Sequence, residues 1–149
     1  MPIDMTQFYQ VFFEETQEHL DSMESLLLNL DIGHPDAEQL NAIFRAAHSI
    51  KGSAGTFGFT DLAEVTHVLE TLLDRIRKGV LPLRPEMIDA FLAARDVLQG
   101  LLAARRGEGV ADPLQVAAMC KRLSQLTESE PLPVPVVAAT VAIPVAPNE

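Results

Sequence analysis

The run Leu62-Ala63-Glu64-Val65-Thr66-His67-Val68-Leu69-Glu70-Thr71-Leu72-Leu73-Asp74-Arg75-Ile76 sets Leu62, Val65, Leu69, Leu72, Leu73 and Ile76 at steps of one, three and four. That is the period of an α-helix with one buried face, since 3.6 residues make a turn. Thr60 and Asp61 stand before the run as capping residues and Gly79 follows it, so one helix is bounded at both ends.

The same period continues on either side. Upstream, Leu40, Ile43, Phe44, Ala47, Ile50 and Ala54 share one side of a helix from about Asp36 to Ala54, broken by Gly55 and Gly58. Before it, Phe13, Leu20, Met23, Leu27 and Leu30 give the buried face of a helix over Met5 to Leu30, stopped by Gly33 and Pro35. Downstream, Met87, Phe91, Leu98 and Leu101 mark a fourth helix running to Gly107. Asp112-Pro113 then supplies a cap and a first-turn proline for a fifth, lined by Val116, Met119, Cys120 and Leu123. Short connections force successive helices antiparallel. The predicted fold is therefore all-α, an antiparallel up-down-up-down four-helix bundle with an additional C-terminal fifth helix.

Composition agrees with that class. The 149 residues fit one domain, and with seven Phe, one Tyr and no Trp the core must come from Leu, Ile, Val, Met and Ala. Residues 1–126 are assigned to the domain. From Thr127 the sequence turns to Pro, Val and Ala without a basic residue or a helical period, so 127–149 reads as a disordered linker leading to further protein. The apolar stretch Leu132 to Val145 is shorter than the ~20 residues a membrane span needs, and Pro133, Pro135 and Pro144 interrupt it. Membrane insertion is not expected. A lone Cys120 cannot form an intramolecular disulfide and no secretory signal opens the chain, so the expected compartment is cytoplasmic.

The formal net charge is −10, and nine Asp and Glu precede the first basic side chain, Arg45. A polyanion such as nucleic acid is an unsuitable partner for that surface.

Of the four histidines, His19 and His34 have the surroundings of ordinary surface or packing residues. His48 opens the run His48-Ser49-Ile50-Lys51-Gly52-Ser53-Ala54-Gly55-Thr56-Phe57-Gly58-Phe59, with Lys51 one turn away. At about 100° per residue it projects about 80–100° from the centre of its helix's apolar stripe, at the edge of the bundle and open to a partner. Gly52 costs its helix about 1 kcal/mol relative to Ala, so bare backbone is expected to serve there, either for a partner's approach to His48 or for tight helix packing. If the second and third helices form a symmetric hairpin about Phe57 and Gly58, His67 stands opposite His48, with Glu70 one turn beyond. A carboxylate near an imidazole holds the proton on one ring nitrogen and leaves the other free as a nucleophile. Lysine beside it offsets phosphoryl charge.

The segment His48 to Phe59 resembles the phosphorylation motif of the histidine phosphotransfer domain at the N-terminus of CheA-type chemotaxis kinases, and the resemblance covers about Asp4 to Leu126. It implies that His48 is the phosphoacceptor, charged on Nε2 by the kinase's ATP-binding domain across a dimer, and that an aspartate of a response regulator receiver domain takes the group next. Glu70, Lys51 and His67 become its supporting network by the same correspondence. Ser53 stands where many relatives have a second glycine. No cofactor is expected in this chain: ATP and Mg²⁺ belong to the separate kinase domain, and the parent protein is expected to be a histidine protein kinase, a free-standing phosphotransfer protein being the alternative.

Three rival readings are weaker. Gly52 to Gly58 has a phosphate loop's glycines, but Lys51 precedes them and a helix, not a strand, leads in. Glu64 and His67 have the Glu-x-x-His spacing of di-iron bundles, which require two such motifs and two further glutamates, so no metal is assigned. A purely structural adaptor leaves the surroundings of His48 without a purpose.

Overall fold

A computed structural model describes residues 6–128, which form five helices: α1 (Thr6–Leu28), α2 (Ala37–Thr56), α3 (Thr60–Arg77), α4 (Pro85–Arg105) and α5 (Pro113–Glu128). Helix α1 packs against α2 and α4, α3 packs against the same two, and α5 lies on α3 and α4. The predicted bundle with its appended helix is the observed one. No helix among the described residues is long and apolar enough to cross a membrane.

Local chemistry sets the ends of the elements. Asp36 caps α2, its carboxylate accepting from the Glu38 N–H at 2.9 Å, and Asp112 does the same for α5 through the Leu114 N–H at 3.0 Å. At the other end of α2 the Phe59 N–H returns to the Ala54 carbonyl at 2.8 Å and the Gly58 N–H to Gly55 at 3.2 Å. That closure needs a left-handed residue, and Gly58 supplies it at φ 76°. Helices α3 and α4 end the same way, at Gly79 and Gly107. The expected cap of α3 differs in detail. Phe59 occupies the capping position without a side-chain bond, while Asp61 receives the Leu62 N–H at 2.7 Å and the Arg105 guanidinium at 2.9 Å.

The core runs along the bundle axis through Leu20, Met23, Leu27, Ile43, Ile50, Leu62, Leu69, Leu72, Leu73, Met87, Phe91 and Leu98, all fully buried. In α1 the buried aromatic is Phe12, and Phe13 is only half-buried. The stripe passes through Thr16, which is buried and whose polarity hides its place in the pattern. At the α2–α3 turn, Tyr9, Phe12, Phe13, Phe57 and Phe59 form a connected aromatic group. Arg105 lies over Phe59 at 4.7 Å and Arg106 over Phe13 at 5.7 Å. This group fastens the turn to α1 and to the end of α4.

Helix α5 continues to Glu128, and Thr127 is buried with its hydroxyl donating to the Leu123 carbonyl at 2.8 Å. A threonine satisfied by its own helix can close an apolar stripe, which the change in composition at 127 conceals. The linker assigned to the remaining residues lies outside those described.

Candidate functional site

His48 sits in the fourth turn of α2, its side chain 62% exposed, while Glu70 reaches it from α3 with its own side chain only 10% exposed. The interior of the α2–α3 hairpin is apolar because Ala47, Ile50, Leu69 and Leu73 fill it. Glu70 lies at the margin of that stripe, where its stem packs and its carboxylate emerges beside α2. One carboxylate oxygen, Oε2, bonds His48 Nδ1, and the other, Oε1, receives the Lys51 ammonium.

Burial alone raises the pKa of Glu70, but hydrogen bonds from Lys51 and His48, together with their charges, outweigh it and hold the carboxyl below the ordinary 4.5. Glu70 is therefore an anion at neutral pH. An ionised carboxylate only accepts, so the proton of the neutral imidazole must lie on Nδ1. Nε2 then carries the lone pair on the solvent side.

His48 stacks on Phe44, one turn earlier, at 6.0 Å between centroids and 13° between planes. The Arg77 guanidinium covers Phe44 at 3.9 Å and bonds Asp74 at 2.8 Å, and Lys78 bonds the other Asp74 oxygen at 2.9 Å. Hydrogen bonding to Lys78, more than the opposing effect of burial, and then to Arg77, lowers the pKa of Asp74. These side chains and Thr71 line a shallow groove beside the imidazole. Sequence reading passed over this groove, although Phe44 precedes His48 by four and Asp74 follows Glu70 by four, the spacing of same-face neighbours.

A Cβ at Gly52 would meet nothing within 4 Å, so no packing among the described residues demands the glycine, whose backbone is exposed one turn from His48.

His67 is not where the symmetric hairpin puts it. The expected level pairing is shifted by three residues along α3, and Glu70 takes the place given to His67. Two of the three come from side-chain direction: each side chain leans toward its own helix N-terminus, so tips meet about one residue beyond their Cα levels on both helices. The Asn41–Arg77 bond at 3.3 Å has the same shifted register. His67 instead faces a separate groove with Arg75, Ser124 and Thr127, between α3 and α5. His19 is half-buried on α1, and His34 is exposed in the α1–α2 connection. Among the described residues no three His, Cys, Asp or Glu side chains converge to hold a metal, Glu64 and His67 included.

Known proteins share this fold and much of this sequence. The Hpt domain family matches residues 7–128. The chemotaxis protein CheA of Salmonella typhimurium is 47% identical over 150 residues, covering 100% of this chain and 22% of that protein. The chain thus spans about a fifth of the length of that relative. The solution structure of the histidine phosphotransfer domain of CheA superposes with a TM-score of 0.74 at 28% identity, covering 89% of this chain and 100% of that one. The phosphorylated P1 domain of CheA3, in complex with CheY6 from R. sphaeroides, superposes at 0.73 and 24% identity over 81% of this chain and 95% of that one, a likeness of fold. The chain belongs to the Hpt domain family, the histidine phosphotransfer domains that CheA chemotaxis proteins carry.

Proposed function

We propose that this domain is the phosphoacceptor and phosphocarrier of a two-component, chemotaxis-type signalling kinase, with His48 as the residue that is phosphorylated. The observation that carries the reading is the tie from Glu70 to Nδ1 of an exposed imidazole, which puts the lone pair of the neutral ring on Nε2. Nε2 attacks the terminal phosphorus of ATP held by the kinase's ATP-binding domain with Mg²⁺. The N–P bond forms as the P–O bond to the ADP leaving group breaks. The Nδ1 proton stays on the ring, which becomes cationic, and Glu70 stabilises the charge as it develops.

Lys51 has two effects. Its bond to Glu70 keeps the carboxylate ionised, and its ammonium offsets part of the charge of the arriving phosphoryl group. In the second transfer an aspartate oxygen of a response regulator receiver domain attacks the same phosphorus, the N–P bond breaks, and Nε2 recovers its lone pair. A receiver-domain partner fits the structural neighbour described with CheY6. The open backbone at Gly52 admits that partner. On this reading the chain is substrate and carrier, the nucleotide chemistry belongs to a separate kinase domain, and the setting is cytoplasmic. His67 has no part in the acceptor network.

The test is phosphorylation by a purified cognate kinase domain with ATP and Mg²⁺, followed by chase with a receiver domain. Label should enter this chain and leave it to the receiver, and a chain that takes no label contradicts the reading.

A further inference from the structure

Phosphorylation places about two negative charges on Nε2, on the far side of the imidazole from Glu70, in a chain whose net charge is already −10. Most basic groups near His48 are committed elsewhere: Lys51 to Glu70, and Arg77 and Lys78 to Asp74. Arg75 faces the α3–α5 groove, and Lys121 and Arg122 are on α5, which packs on α3 and α4.

Arg45 is different. It is exposed, sits three residues before His48 on α2, and borders the neighbouring groove that Asp36, Glu38 and Asn41 line, yet it has no hydrogen bond, ion pair or ring contact among the described residues. Residues three apart on a helix are surface neighbours. The His48 ring leans toward the helix N-terminus, as its stacking on Phe44 records, and so lies in the turn that carries Arg45. With Glu70 and α3 on one side of the ring, Arg45, Ser49 and Gly52 occupy the solvent face on the other.

We infer that Arg45 is the positioning residue for the phosphorylated state, folding its guanidinium back onto the phosphoryl oxygens at Nε2 once the group has arrived. A planar fork of N–H donors suits two phosphoryl oxygens at once. Its freedom before phosphorylation is part of the design, since a guanidinium already bonded to a carboxylate must be released first. The inference rests on His48 being the acceptor.

The full chain is phosphorylated with phosphoramidate, a small donor that needs no partner protein, and the second ionisation of the phosphoryl group is followed by ³¹P NMR. Arg45 beside the group favours its dianion, so Arg45→Ala should raise that pKa by about half a unit to one unit at this exposed site. Arg45→Lys should fall between the two, and circular dichroism should show the helices intact in both. Superimposable titrations of wild type and Arg45→Ala overturn the inference. So does an unchanged titration with slower, salt-sensitive transfer to a receiver domain, which assigns the arginine to the partner's carboxylates instead. A wild type that takes no label at His48 overturns the acceptor reading as well, whereas a labelled wild type without an Arg45 effect overturns this inference alone.

Discussion

Glu70 divides its two carboxylate oxygens between His48 Nδ1 and Lys51 Nζ, so one buried anion from α3 fixes two side chains of α2. Its pKa stays low because both partners are donors, and its low pKa in turn assigns the imidazole tautomer.

Replacing Glu70 by Gln therefore tests mechanism more than stability. Gln is a helix former of similar size, but as a neutral amide it neither fixes the tautomer nor balances the cationic ring. Phosphoryl acceptance, followed by rapid quench, should slow by ~10- to 100-fold, and return transfer to a receiver should suffer less, since the receiver's own site performs much of that chemistry. An unchanged acceptance rate would reduce Glu70 to a surface charge.

The same carboxylate gives the domain an acid limit. Folding lowers the Glu70 pKa below 4.5, so its contribution to stability is complete above that value and is lost as pH falls through the folded-state pKa. Asp74, lowered from 3.8, acts in the same direction. Melting temperature measured from pH 6 downward should fall more steeply in wild type than in Glu70→Gln. Parallel curves would mean that Glu70 titrates alike in both states.

Gly52 lies inside a helix with open space where a side chain belongs. Gly52→Ala should accordingly stabilise the domain by ~0.5–1 kcal/mol. A larger residue such as Gly52→Gln should slow transfer to a receiver domain while labelling by phosphoramidate is kept, because only the protein partner needs the bare backbone. Equal transfer rates in wild type and Gly52→Gln would remove the access role.

Truncation locates the C-terminal edge. Removing everything after Glu128 should leave the melting temperature unchanged, the tail having no apolar period with which to join the core. Removing Thr127 and Glu128 as well takes away a buried residue and the last turn of α5, and should lower the midpoint by a few degrees, the scale of ~1 kcal/mol in a domain this size. A large fall in the first truncation would show that the tail packs.

All five helices were legible in the sequence because their apolar residues repeat at three and four and because Gly58, Gly79 and Gly107 mark three of the ends. Errors arose where polarity and burial part company: Thr16 and Thr127 are buried threonines, and passing over Thr16 moved the stripe from Phe12 to Phe13. His48, Lys51 and Glu70 were legible as a set, since each sits at the margin of a stripe. The level of α3 against α2 was not, because pairing by residue number ignores the lean of each side chain toward its helix N-terminus. That is why His67 was placed opposite His48 and Glu70 one turn too far. The Phe44–Asp74–Arg77 groove needed the same register before its members could be brought together.

Whether His48 alone is phosphorylated is decided most directly by labelling wild type and His48→Gln with a cognate kinase domain, ATP and Mg²⁺. Acid-labile, alkali-stable label should appear in the wild type and be absent from His48→Gln, with His19, His34 and His67 all still present. Label persisting in that variant would contradict the assignment.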